Sequence, residues 1–268
     1  MTIIGKGSYG TVYRPPIPCD KKFKHKAIVG KVFSEKADFE DEIEIASKIQ
    51  KLNSSNKFSI PFYQTCPENL EIIYGDGGKD LSEYLIAIKP ANRSKELPAI
   101  MTKMKNLLEG INTLLENGYV HQDIKSQNIV YNGKNIYLID FGLMIKKSEL
   151  YKNDSFLKYT YLAFPPEFKR HYYGKNFIPE FFKNIGPTYL KFIKIIYPNY
   201  LRDLESLKSL ASYPANKMDV YSLGMVIMEV YTHYKYRNDT IESLIQDMIC
   251  FNPAKRLTAD AILKKYFK

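Results

Sequence analysis

Gly5-Lys6-Gly7-Ser8-Tyr9-Gly10-Thr11-Val12 sets three glycines at G-x-G-x-x-G-x-V spacing. Without a Cβ the backbone can approach phosphate oxygens closely and aim its N–H groups at them. The loop stands between the β-like runs Ile3-Ile4 and Thr11-Val12-Tyr13 rather than between a strand and a helix, which points away from a dinucleotide fold. An ordinary glycine-rich hairpin has the same composition, so the loop alone leaves both readings open. Lys31 follows nineteen positions beyond Val12. Any one lysine in a lysine-rich chain reads first as a solvated charge, and Lys21, Lys22, Lys24 and Lys26 read as that. Further on, His121, Asp123, Lys125 and Asn128 crowd into one short segment, and Asp140-Phe141-Gly142 follows soon after. Taken alone, Asp123 would be a helix N-cap.

The elements that must position these residues are legible in outline. Roughly the first eighty residues alternate short β-like runs with one amphipathic segment, and most of the later chain carries helical apolar spacing. Lys26 to Phe33 reads as a strand. From Phe39 to Leu52, the spacing of Ile43, Ala46, Ile49 and Leu52 predicts a helix with one buried face, ended by Asn53-Ser54-Ser55-Asn56. Asn135 to Ile139 reads as a strand leading into Asp140. No internal repeat or low-complexity linker divides the chain, so the boundary between a β-rich lobe and a helical lobe is placed in Tyr74-Gly75-Asp76-Gly77-Gly78.

The 268 residues suffice for one catalytic unit with a substantial core. Cys19, Cys66 and Cys250 are odd in number, far apart and in no C-x-x-C pair; three reduced thiols are expected, with neither a disulfide framework nor a zinc knuckle. The opening Met-Thr-Ile-Ile-Gly-Lys-Gly has no signal-peptide character, and no apolar run approaches a membrane span. A soluble intracellular chain is expected, cytoplasmic, or in a host cell or virion if its source is viral. The net charge of +10 is spread along the sequence and does not select among acidic partners. Abundant Lys, Ile, Asn and Tyr with no Trp hint at an AT-rich genome, such as that of a large DNA virus or a protist, and say nothing about chemistry.

His121-Gln122-Asp123-Ile124-Lys125-Ser126-Gln127-Asn128 followed by Asp140-Phe141-Gly142 resembles the H-R-D-x-x-x-x-N and D-F-G signatures of the eukaryotic-type protein kinases. The glycine loop fits their phosphate-covering loop, and Ile28-Val29-Gly30-Lys31 is similar to their V-A-I-K strand. The resemblance covers nearly the whole chain. It implies an α+β, bilobal fold in a single domain over 1–268, with a small β-rich lobe over about 1–75 and a larger, mainly helical lobe over about 76–268. By resemblance, Asp123 accepts or orients the proton of the substrate hydroxyl, and Asn128 and Asp140 hold magnesium, with manganese as an alternative. Lys31 would pair with the α- and β-phosphates of ATP and with a carboxylate on the helix. Glu42 matches the family pattern best and Glu44 competes; the eleven positions from Lys31 to Glu42 are fewer than the family usually shows, which implies a helix trimmed at its start. Lys125 is the type found in serine/threonine kinases, which disfavours tyrosine specificity.

The nucleotide site implied in this way comprises Gly5, Lys6, Gly7, Ser8, Tyr9 and Gly10 over the phosphates. Ile4, Val12 and Val29 lie above the base, Val130 and Ile139 below it, Ile73 with Tyr74 to Asp76 along its edge, and Asp80 at the ribose. Protein and ATP are the expected partners; nucleic acid is not expected, and the oligomeric state stays open. Thr160 to Glu167 looks like the end of an activation segment, with Pro-Pro-Glu for Ala-Pro-Glu, and Glu167 is expected to pair with Arg256 as scaffold.

Three features depart from the family. Gln122 stands where the family has an arginine that commonly pairs with a phosphorylated activation loop, so activity without such phosphorylation is expected. Fifty-two positions separate Glu167 from Asp219, more than the family spends there, while thirty-seven separate Asp219 from Arg256, which is short. An atypical insertion over about 168–216 is thus expected, with a large-lobe helix moved or replaced. Its aromatics interleaved with Lys169, Arg170, Lys175, Lys183, Lys191 and Lys194 read either as helices packing aromatics inward with the basic residues in water, or as a docking surface. The expected function is phosphorylation of protein serine or threonine. A pseudokinase that binds nucleotide or a partner without turnover, and a small-molecule phosphotransferase, are the alternatives.

Overall fold

A computed structural model of the chain describes residues 1–7, 10–20, 27–53, 57–150, 163–207, 215–233 and 238–267. Ser8, Tyr9, Thr160 and the lysines at 21, 22, 24 and 26 lie outside the described residues.

The small lobe is an antiparallel sheet of β1 (Thr2–Lys6), β2 (Gly10–Arg14), β3 (Ile28–Phe33), β4 (Phe62–Cys66) and β5 (Glu71–Gly75), in the order β1-β2-β3-β5-β4. Strand alternation sorts its residues by face. Val29 and Phe33, with Ile72 and Tyr74, pack on Phe39 and Ala46 of α1 (Lys36–Leu52). Ile28 and Ile73 turn to the outer face. Helix α1 starts three residues before the predicted Phe39 and stops at the predicted Asn53, whose side chain takes the N–H groups of Lys57 and Phe58 and donates to Ser59.

Across the outer face runs the connection after β2. Ile17 N–H donates to Glu71 Oε1 at 2.9 Å, Asp20 N–H to Glu68 Oε1 at 3.3 Å, and Asn69 Nδ2 to the Pro18 carbonyl at 3.1 Å. Gly30 makes this possible, because a methyl group there would run into the buried Glu71 carboxylate. The same fold-back corrects the expectation of three separate thiols. Cys19 and Cys66, 47 positions apart in sequence, are paired in a disulfide with Cα atoms 6.0 Å apart, and Cys250 is free. No spacing motif announces such a pair, because chain reversal rather than local sequence brings the two residues together.

In the large lobe, β6 (Lys79–Asp80) leads into α2 (Leu81–Ala87) and the long α3 (Arg93–Glu116). Leu97, Ile100, Met101, Met104, Leu107, Leu108, Ile111 and Leu114 recur at three- and four-residue spacing and form the buried stripe of α3. Then come β7 (Tyr119–Val120), β8 (Ile129–Tyr131), β9 (Ile136–Leu138) and β10 (Ile145–Lys146). The β7–β10 and β6–β8–β9 ladders frame the segment carrying Asp123 and Asn128. Helix α8 (Met218–Thr232) is buried on nearly every side, as an all-round apolar helix must be. Around it lie α9 (Asp239–Met248), capped by Asn238, and α10 (Ala259–Tyr266), capped by Thr258.

Between Pro165 and α8 the chain forms α4 (Pro166–Tyr173), α5 (Phe177–Ile185), α6 (Pro187–Ile196) and α7 (Tyr200–Glu205). Phe177, Phe181, Ile185, Ile193 and Ile196 are buried, while Lys183, Lys191 and Lys194 are exposed. This is the pattern of inward aromatics and outward lysines. Lys169 breaks it: the side chain is fully buried. The expected scaffold pair is present, with Arg256 Nη1 and Nη2 at 2.7 and 2.9 Å from the two oxygens of Glu167.

Candidate active site

The two lobes enclose a cleft of about 620 Å³. Its roof is the β1–β2 hairpin, closed by a Gly7 N–H to Gly10 carbonyl bond of 2.9 Å. A Cβ on Gly10 would sit 2.5 Å from the Val32 carbonyl oxygen, so the return of the loop into β2 requires glycine there. Gly5, Lys6, Gly7, Ile4, Val12 and Val29 line the cleft from above; Val130 and Ile139 line it from below. Tyr74, Gly75 and Asp76 run along its edge.

Ile73 is the correction among the nucleotide contacts drawn from the sequence. Strand alternation turns it away from the cleft, against Ile28 and Cys66 on the outer face, at 1% exposure. Asp76 and Asp80 line the cleft with their carboxylates already engaged. Asp76 Oδ1 takes the Arg14 guanidinium at 2.6 Å and the Gly78 N–H at 2.9 Å; Asp80 Oδ1 caps α2 through the Glu83 N–H at 3.0 Å. Arg14, Glu83 and, toward α1, Ile45, Ile49 and Phe62 also line the cleft. Sequence reasoning missed them because no motif marks them, and Ile45, Ile49 and Phe62 read as plain core.

Lys31 Nζ stands 2.9 Å from Glu42 Oε2. Glu44 instead faces Lys48 on the exposed side of α1, at 3.4 Å. Two positions on a helix of about 3.6 residues per turn set the side chains on nearly opposite faces: Glu42 falls on the stripe facing the sheet and Glu44 does not.

Below the cleft, Asp123 is held from two sides. Lys125 Nζ lies 2.8 and 3.0 Å from its two carboxylate oxygens, and Asn128 Nδ2 donates to its Oδ2 at 2.7 Å and to its carbonyl at 2.9 Å. The Asn128 nitrogen is thereby committed, and its oxygen is the atom left for a cation. Asp140 opens into the same cleft. An amide oxygen and a carboxylate are hard donors of the kind magnesium takes, so the side chains fit the metal that the sequence implies. The His121 ring packs on Phe141, centroids 4.7 Å apart, and burial lowers its pKa, which favours the neutral imidazole.

The loop that carries Asp123 is fixed by a residue far away in sequence. The two oxygens of Asp219, in the first turn of α8, accept the N–H groups of His121 at 2.7 Å and of Gln122 at 3.0 Å. Gln122 has φ +69° and Asp140 φ +61°, a left-handed backbone uncommon outside glycine and maintained by its surroundings. Gln122 Nε2 also donates to the Leu143 carbonyl at 2.9 Å, tying the Asp123 loop to the segment just past Gly142. The role of Asp219 was missed: the sequence marked it only as the end point of the long interval from Glu167.

Among the described residues, no helix is long and apolar enough to cross a membrane. Over 280 aligned residues the chain is 24% identical to calcium/calmodulin-dependent protein kinase type I of Schizosaccharomyces pombe, covering 99% of this chain and 76% of that protein. It is 31% identical over 171 residues to the dual specificity protein kinase zakA of Dictyostelium discoideum, covering 58% of this chain and 20% of that one. With the serine/threonine-protein kinase VPS15 of Saccharomyces cerevisiae it shares 26% identity over 210 residues, which cover 68% of this chain and 13% of that one. The family model described as protein kinase domain matches residues 1–176 and stops one residue short of α5. That match spans both sides of the cleft, from the glycine loop through Asp123 and Asp140 to Glu167, and on it the chain belongs to the protein kinase domain family.

Proposed function

We propose that this chain is an active serine/threonine protein kinase, acting as a single catalytic unit, that transfers the γ-phosphoryl group of ATP to a hydroxyl of a protein substrate. The observation that carries the reading is Asp123, clasped by Lys125 and Asn128 at the floor of a cleft in which Lys31 is already paired with Glu42. Asp123 orients the substrate hydroxyl and receives its proton. The Lys125 ammonium, on the same carboxylate, stands where it can meet negative charge on the transferring group. Lys31 positions the α- and β-phosphates, with its own direction set by Glu42. Asn128 and Asp140 are the residues that would hold magnesium, which when bound supplies neutralisation of the phosphate charge. Phosphoryl transfer requires positioning and charge compensation more than covalent help, and these side chains offer both.

The bond from Gln122 to the Leu143 carbonyl supports activity without activation-loop phosphorylation. It is a neutral contact that needs no phosphate to form, where an arginine would leave a cation awaiting one.

Labelled-phosphate transfer from ATP and magnesium to a generic basic or acidic protein, with phosphoamino acids identified, tests the reading. Phosphoserine or phosphothreonine is expected, lost in both Asp123→Ala and Lys31→Met. Absence of transfer despite magnesium-dependent ATP binding would replace the proposal with a pseudokinase. In the same assay, phosphatase-treated protein is expected to keep its full rate; a collapse of the rate would refute the role given to Gln122.

A further inference from the structure

Tyr74 does more than border the cleft. It lies on β5, opposite Val29 in the β3–β5 ladder, and alternation points it with Ile72 toward α1. Its hydroxyl donates to Glu42 Oε1 at 3.0 Å, while Lys31 Nζ holds Oε2 of the same carboxylate at 2.9 Å. Both oxygens of Glu42 are therefore gripped by donors from two neighbouring, hydrogen-bonded strands. The phenol ring packs against Phe62, with centroids 6.1 Å apart.

We infer that Tyr74 is a positioning residue for the Lys31–Glu42 pair, and that its hydroxyl locks α1 in the docked position without help from a second protein or a modification. This rests on the phosphotransfer reading above only for its kinetic consequence. Withdrawal of α1 would strip an acceptor from a buried phenol and a counter-charge from Lys31 in one movement, and buried donors without partners are costly. Nor can the phenol ionise and release its hold: burial, reinforced by the Glu42 carboxylate, keeps its pKa well above the usual tyrosine value. The phenol is a donor throughout the physiological range.

Tyr74→Phe in the full chain removes the hydroxyl and keeps the ring on Phe62. Two readouts apply: amide hydrogen exchange across residues 36–52 of the nucleotide-free protein, and kcat with KM for ATP. Faster exchange in α1 is expected, with kcat lowered about tenfold and KM changed much less, the scale of one lost hydrogen bond to a charged group. Added to Glu42→Ala, the same substitution is expected to change neither readout further, because its target is gone. Wild-type exchange in Tyr74→Phe, or an undiminished additional effect in the Glu42→Ala background, would overturn the inference. If the wild-type chain transfers no phosphate, the proposed function fails, and the exchange arm alone still decides for or against the lock.

Discussion

Lys169 follows Glu167 by two positions, yet it is fully buried and its amine finds no hydrogen-bond partner among the described residues. The face of Phe181, 5.5 Å from ring centroid to nitrogen, offers it partial compensation. Burial lowers its pKa from 10.5 to about 7. The unfolded chain thus holds a proton on this lysine up to about pH 10.5 that the folded chain releases above about pH 7. Between those values unfolding takes up a proton, so stability rises with pH and is lost as pH falls toward 7. Lys169→Met is expected to raise the melting temperature at pH 7 and to flatten its rise with pH; thermal unfolding at several pH values between 7 and 10 checks both. Nothing in the sequence marks this residue, because a lysine among lysines reads as solvated and only the packing of α4 on α5 shows otherwise. Lys31 could be picked out because its distance from the glycine loop matches a known pattern. Ile73 was misplaced for the reverse reason: the segment containing it was identified, but a one-residue choice of register flips a strand residue to the other face.

At the scale of elements, α8 is both the core of the large lobe and the brace of the loop bearing Asp123. Asp219 is 1% exposed, and its two oxygens serve two backbone donors, one of them on the left-handed residue Gln122. Burial raises its pKa, and the nearby His121 opposes that shift. Asp219→Ala leaves two buried N–H groups without acceptors, at about 1–3 kcal/mol each. The expected result is a lower melting temperature and loss of phosphate transfer, with ATP affinity largely kept, since Asp219 is not among the residues lining the cleft. A variant that retained the wild-type rate would show that the loop holds its shape unaided. The start of α1 was read three residues late because no side chain caps it at Glu35, whereas its end was marked by Asn53, a residue with local hydrogen-bonding chemistry. Helix limits are legible where the sequence supplies such a cap.

For the molecule as a whole, the order of a β-rich part followed by a helical part was visible because the hydrophobic spacing changes from β-like to helical along the chain. The long interval before Asp219 holds α5, α6 and α7. Their arrangement was not visible, since an amphipathic pattern tells a helix which side to bury and not which neighbour to bury it against. The Cys19–Cys66 pairing shares that limit. One tie across the molecule remains, between Arg14 at the end of the roof and Asp76 in the lobe connection. The two side chains are 41% and 21% exposed, so dissolved ions reach the pair and screen it. Asp76 keeps a second bond, to the Gly78 N–H, that salt scarcely touches. Ionic strength therefore acts on this chain selectively: it loosens the grip of the roof on the connection while the connection keeps its own turn.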